Sequence, residues 1–411
     1  MVGLLLLAAP LGAEAQTAAK DIAAAAEEPA SPVTAGWDDG FVLQSEDEGF
    51  RLQIGLLTHL DGRFAVDDSA DAIENEFSAR RLRTYLRGRI AERFEFYFNP
   101  DFAGGELVVQ DAYIDTHFTD AFRVRVGKAK TPFGLERLHA AASLLFFDRA
   151  LPNTLVPNRD FGVQVMGDVA GNVISYAAGV LNGVTDGASA DVDTNDSFDV
   201  AGRLVVRPFT DATPAPLHGL GFAMSGSTGT RSELPSFRTA SLRQPFFAYS
   251  EAVTADGKRT RYSPQVFYYY KTVGAFGEYV HSEQTVLGEE TRADIGHDAW
   301  QIAGSIVLTG EDATERGVRP RRNFDFGGGG IGAIQVAVRY HTLTIDRDAI
   351  LLGLADADAS RKAEAVTVGV NWYVNPFIKY VFNVERTVFD GDADGLRPAE
   401  NALVFRTQLA F

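Results

Sequence analysis

Residues 80–90 read RRLRTYLRGRI. Taken at a period of two, the odd positions are Arg81, Arg83, Tyr85, Arg87 and Arg89, and the even ones are Leu82, Thr84, Leu86, Gly88 and Ile90. A helix repeats its faces every 3.6 residues and would scatter these arginines around its circumference, whereas a strand collects them on one side. The segment is therefore a strand with one cationic face and one apolar face.

The alternation recurs along the chain with other polar residues. RFEFYFN (93–99), FRVRVGK (122–128), AWQIAGSIVLTG (299–310) and IQVAVRYH (334–341) each set apolar or aromatic residues against polar or charged ones. A soluble antiparallel sheet also has a dry and a wet face, so the connections must decide. The pattern predicts about sixteen strands of about 8–12 residues, an even number, as in outer-membrane barrels. Tight links such as AE (91–92), TDA (119–121), AGN (170–172) and NP (375–376) alternate with long acidic ones such as 182–197 and 389–401. Short turns at one end and long loops at the other predict an all-β fold, a transmembrane antiparallel β-barrel of the bacterial outer membrane. Only 209–217 and 310–330 are too long for the short-turn side, and no Pro- or Ser-rich linker interrupts the series.

Composition agrees. The 411 residues are 45% hydrophobic, contain no Cys and carry a formal net charge of -17, with a mean hydropathy of -0.07. Past residue 10 there is no apolar run long enough for a transmembrane helix. Without Cys a disulfide framework is excluded. Residues 1–15, ending in Ala13-Glu14-Ala15, read as a signal peptide, although a basic start is missing. Residues 16–49 are expected to be a flexible Ala- and acid-rich segment, and 50–411 the barrel domain. Trp372, Tyr373, Phe377 and Tyr380 flank the NP turn as an interfacial girdle would, and the last alternating strand ends on Phe411.

The wet face of the opening strand suggests a pore wall. Over eight residues at about 3.3 Å each it spans roughly 26 Å, so Arg81, Arg83, Arg87 and Arg89 would form a column, joined by Arg123 and Arg125 of FRVRVGK. Guanidinium stays charged and offers paired donors to phosphate-type oxygens. The alternative is that these arginines brace the wall by pairing with Glu95, Asp111 and Asp115.

FSARRLRTYLRG, VQDAYIDTHF, RVRVGKAKTPFGLERL, FDRALPN, RDFGVQV, VLTGE, AVRYHTLTID and VGVNWYVNPFIKY resemble, in order, the phosphate-selective porins O and P. The resemblance runs from about residue 50 to the C-terminus. It implies a sixteen-stranded, homotrimeric outer-membrane channel for phosphate-type anions whose third long loop dips into the barrel. By the family's paired arginines, it places Arg80 and Arg81 in the central zone. Arg80 is off the wet-face register, so it reaches the lumen only if the strand is bulged or ends there.

The run Leu144, Leu145, Phe146 and Phe147, within 130–160, does not suit an exposed loop. It is expected to fold inward or to pack at a subunit interface. Folded inward, it brings Lys128, Lys130, Arg137 and Arg149 near a constriction. One departure from the family is plain. Its dense arginine ladder before the tenth strand is thinned here to Arg231, Arg238 and Arg243, with Glu233 among them.

Other classes find little support. The seven His show no HExxH, GxSxG or similar pairing, so no enzyme, cofactor or metal site is expected. DVDTND lacks the Gly and distal Glu of a calcium loop. The acidic loops are either simply solvated or bind divalent cations that bridge lipopolysaccharide. The partners expected are phosphate-type or other small anions, outer-membrane lipid with lipopolysaccharide, and two further copies of the chain, without nucleic acid. Tyr85, Tyr97 and Tyr113 on wet faces keep a general or sugar- or organic-acid-selective porin as the alternative.

Overall fold

A computed structural model describes residues 32–66, 75–183, 196–209, 214–289, 291–390 and 397–411. β1 (Val33–Trp37) and β2 (Phe41–Ser45) form a hairpin that adds onto β3 (Phe50–Ala65). The described part of the expected flexible segment 16–49 is thus paired sheet from Val33 onward. The wall continues through β4 (Glu76–Ile90), β5 (Phe94–Asp101), β6 (Val108–Thr119), β7 (Phe122–Lys130) and β8 (Arg159–Val169). It goes on with β9 (Ile174–Leu181), β10 (Asp199–Val206) and β11 (Leu220–Arg231). The two-stranded hairpin of β12 (Phe237–Arg238) and β13 (Pro245–Phe247) interrupts the series as a separate sheet. β14 (Thr254–Tyr270), β15 (Val273–Leu287), β16 (Arg292–Val307) and β17 (Ala333–Thr344) resume the wall. β18 (Lys362–Tyr373), β19 (Ile378–Asp390) and β20 (Glu400–Ala410) complete it.

Successive wall strands pair antiparallel, and β20 pairs with β3 from Ala402 opposite Ala65 to Ala410 opposite Leu57. That seam closes the barrel, with sixteen wall strands among the described residues once β1 and β2 are set aside from the 18-stranded sheet. Closure leaves no row of unpaired backbone groups facing lipid. The Phe411 backbone extends the seam by exchanging hydrogen bonds with Leu56 at 2.9 and 3.0 Å.

The two faces are sorted inside out. Val338 is 53% and Val384 57% exposed, and Ile114, Met224 and Ile302 are exposed in their own strands, while Arg339, Glu385, Asp115, Ser225 and Gln301 are buried beside them. An apolar exterior and a polar interior suit a wall between lipid and water. At the short-turn end Trp372 stacks on Tyr380 at 5.6 Å on the outside. Tyr373, which the sequence groups with them, points the other way, donating to Gln335 at 2.9 Å.

Two connections of the long-loop half pack against buried faces of the wall strands. Residues 131–158, between β7 and β8, meet the polar faces of distant strands. Lys379 Nζ donates to the Ala142 and Leu144 carbonyls at 3.0 and 3.1 Å, Phe147 N–H donates to Asn383 at 2.6 Å, and Asn371 donates to the Leu145 carbonyl at 2.8 Å. Phe133, Leu151, Leu155 and Val156 then share a buried cluster with Phe237, Phe246 and Phe247 of the β11–β14 connection and with Val280, Ile295 and Leu343 of the wall. On the opposite side the long 308–332 connection turns back, packing Ala313 and Val318 against Tyr373. The signal-peptide reading of 1–15 lies outside the described residues, as do most of the three acidic stretches DDSADAIENE, DGASADVDTND and DGDADG.

Candidate functional site

The β3–β4 ladder shows how the opening strand places its arginines. His59 faces Arg81 and Leu60 faces Ala79, so Arg80 is the extra residue of a β-bulge. A bulge turns an added side chain out of strict alternation, and Arg80 lines the same cavity as Arg81 and Arg83. Arg81, only 4% exposed, donates to His59 Nδ1 at 2.9 Å, and His59 Nε2 lies 2.9 Å from Gln408 Oε1. Because guanidinium can only donate, His59 accepts at Nδ1 and carries its proton on Nε2.

Two cavities lie within the wall and share Arg83, Lys130 and Arg159. The one toward the long connections, of about 520 Å³, holds Arg80, Arg81, Arg137, Arg149, Arg231, Arg238 and Arg243. The one toward the short turns, of about 1170 Å³, holds Arg123, Arg125 and, from the 308–332 connection, Arg316, Arg319 and Arg321. Of the expected residues, Arg87, Arg89 and Lys128 line neither cavity. Arg87 and Arg89 sit further along β4 toward its turn to β5, opposite Tyr97 and Glu95. Lys128 is fully buried, 5.9 Å from the Phe161 ring.

Several of these cations are held by carboxylates, among them Asp111 and Asp115 of the three acids expected. Arg83 Nε donates to Asp101 at 2.7 Å. Arg125 grips Asp115 with two bonds of 2.7 Å and lies 3.7 Å from the Tyr113 ring centre. Asp111 pairs with Arg159 at 2.8 Å, and Glu95 approaches His117 at 3.4 Å. Arg231 is bonded to Asp199 and the Gly183 carbonyl. Others lean on backbone carbonyls. Lys130 Nζ donates to Leu138 and His139 at 3.0 and 2.8 Å, and Arg149 to Glu136 and His139 at 3.0 Å each. Arg137 reaches Asn158 and the Asn153 carbonyl. These hydrogen-bond partners are neutral and carry no counter-charge of their own.

Within the 131–158 connection, Asp148 is the exception to this cationic lining. Its carboxylate lies 2.7 Å from Arg63 and 3.6 Å from Arg243. Burial opposes its ionisation, yet Arg63, Arg243, Arg80 and Arg406 outweigh burial and hold its pKa well below the usual carboxylate range. Burial draws the Arg149 pKa down to about 10 against the pull of Glu136, so it stays charged at neutrality.

Residues the sequence reading left out stand beside those it named. Arg159, Arg203 and Arg259 line the cavities, Arg339 and Arg406 hold backbone carbonyls of the 131–158 connection, and Arg63 pairs with the Asp148 carboxylate. Arg339 stands on the polar face of IQVAVRYH, and Arg406 obeys the same period-two alternation and could have been counted by it. In the larger cavity, Tyr85, Tyr97 and Tyr113 form a row with ring centres 5.9 and 5.6 Å apart.

A family model described as phosphate-selective porin O and P matches residues 52–411. No curated protein matches the chain. Among solved structures, an anion-selective porin from Comamonas acidovorans superposes with a TM-score of 0.55 at 10% identity, covering 88% of this chain and 100% of its own. OmpT of Vibrio cholerae in its trimer form gives 0.54 at 11% identity over 88% and 100%. The outer membrane channel DcaP of Acinetobacter baumannii gives 0.55 at 12% identity over 92% and 100%. At these identities the likeness is one of fold.

Proposed function

Because the chain belongs to the phosphate-selective porin O and P family, we propose that its two cavities are the halves of one anion channel, narrowed where the 131–158 connection crosses the lumen. It is a porin of the bacterial outer membrane, a passive channel rather than an enzyme. The observation that carries the anion reading is the charge of the lining. In the smaller cavity every charged residue is Lys or Arg except Asp148 and Glu233. Fixed cations beside a narrow, low-dielectric passage dominate permeation, whereas acids on water-exposed loops are screened within about 10 Å at 0.1 M salt. A net charge of -17 is compatible with anion selectivity on that ground.

Phosphate-type oxyanions are the proposed cargo. Arg80, Arg81, Arg137, Arg149 and Lys130 offer N–H donors around one space, and several sites of moderate strength let an ion leave as well as bind. The thinned ladder is part of this reading: Arg238 and Arg243 guide anions inward, while Arg231 is tied to Asp199. A homotrimer is proposed from the family and from the trimeric form of OmpT, with lipopolysaccharide against the outer apolar face. The tyrosine row favours a second reading, a channel for organic acids.

Reversal potentials across a KCl gradient, with purified protein in planar bilayers, test the first reading. Anion preference with block of chloride current by millimolar phosphate is expected. Cation preference overturns it.

A further inference from the structure

Asp148 sits where a permeating anion would be bound. It projects from the 131–158 connection into the smaller cavity, its side chain 12% exposed, with Arg63 at 2.7 Å and Arg243 at 3.6 Å from the same oxygen. Arg80 lines this cavity as well, and Arg80 Nε, Arg81 Nε and Arg243 Nη2 have no hydrogen-bond partner among the described residues. Asp148, and Glu76 at 3.6 Å from Arg63 Nε, thus leave donors of the cradle unused.

The connection that carries this carboxylate also has anchors that do not involve it. Arg339 donates to the Asp148 backbone carbonyl at 3.0 Å, Arg406 to the Phe147 carbonyl at 2.6 Å, and Ala150 N–H to Glu136 at 2.8 Å. Phe147 N–H is taken by Asn383 and Leu145 O by Asn371. A residue anchored by its main chain and flanked by anchored neighbours leaves its side chain free for another task.

Resting on the anion-channel reading, we infer that Asp148 is a tethered competitor for the transported oxyanion. Its carboxylate occupies the guanidinium cradle of Arg63, Arg80 and Arg243 and so weakens anion binding there. The physical logic is that of conduction. A cradle of close cations with no internal counter-charge would bind a multivalent anion tightly and release it slowly, while a fixed carboxylate repels the bound anion and replaces it as it leaves. Asp148 thereby sets affinity and exit rate together, and it discriminates most strongly against anions of higher charge.

The test compares wild type, Asp148→Asn and Asp148→Glu as full-length channels in planar bilayers, reading the block of chloride current by inorganic phosphate. Asp148→Asn is expected to bind phosphate about tenfold or more tightly, with slower single-channel recovery and retained anion selectivity. Asp148→Glu, which keeps the charge, stays within about threefold of wild type. Should the Asn variant fail to assemble, Asp148→Ser is expected to give the same tightening. An Asn or Ser variant with unchanged or weaker phosphate block, in channels that remain anion-selective, overturns the inference alone. Larger conductance with lost selectivity also overturns it, since the carboxylate would then be an anchor of the connection. A cation-selective wild type overturns the channel reading itself and the inference with it.

Discussion

The Arg406 guanidinium lies 4.5 Å from the centre of the Phe147 ring and donates to the Phe147 carbonyl at 2.6 Å. The same guanidinium grips Asp61 with bonds of 2.7 and 2.6 Å. Since Asp61 is on β3 and Arg406 on β20, one side chain ties the closing seam of the barrel to the segment inside it.

Arg406→Met is expected to destabilise the barrel by roughly 3–5 kcal/mol, because Asp61 keeps its buried charge and loses its partner. It also removes the bond to the Phe147 carbonyl and loosens the connection, so single-channel conductance rises and anion selectivity falls. Urea unfolding of the barrel and bilayer recordings check the two parts. Wild-type conductance would show that the seam does not hold the connection.

Arg80 and Arg83 should separate binding from bracing. Arg80 is the bulge residue with no hydrogen-bonded carboxylate among the described residues, whereas Arg83 is paired to Asp101 at 2.7 Å. Arg80→Gln is expected to weaken phosphate block about tenfold or more, as loss of a charge-assisted contact does, with stability unchanged within about 0.5 kcal/mol. Arg83→Gln should cost about 1–3 kcal/mol of stability by stranding Asp101. Equal stability losses in the two variants would contradict this division.

Tyr97, between Tyr85 and Tyr113, tests the organic-acid reading. Tyr97→Ser should weaken block by benzoate by about threefold to tenfold, the scale of one aromatic contact, and leave phosphate block within about twofold. Equal benzoate block in the two channels would remove the row from any role in binding.

The depressed pKa of Asp148 gives a pH dependence of known sign. A carboxylate whose folded pKa lies below its unfolded value contributes its full stabilisation above about pH 4 and loses it only as pH falls through the folded value. Opposed by burial but outweighed by Arg63, Arg243, Arg80 and Arg406, Asp148 remains ionised through that range. The difference in chloride selectivity between wild type and Asp148→Asn should therefore be constant from pH 7 to pH 4. A difference that shrinks between pH 6 and pH 4 would place Asp148 at an ordinary carboxylate pKa.

Alternation made the wall legible. The same pattern that sorts Arg81 from Leu82 sorts Arg339 from Val338 and Glu385 from Val384. Side-chain direction in a strand is a local property of period two, so each segment declares its faces without knowing its neighbours. The hydrophobic run Leu144–Phe147 likewise declared that it must be covered, because exposing it would be costly wherever the chain went.

Tertiary structure decided which groups meet. The bulge at Arg80 depends on how β3 pairs with β4; the period of two put Arg80 off the wet face, but whether the strand bulges there is not written in RRLR. Arg406 and Phe147 are 259 residues apart, and Asp148 finds Arg63 and Arg243 only because the barrel closes around it. The sequence alone determined a two-faced sheet, its cationic lining and its closure into a barrel. Whether a given arginine binds an anion or braces a carboxylate is a matter of cross-barrel distance, which no local period encodes.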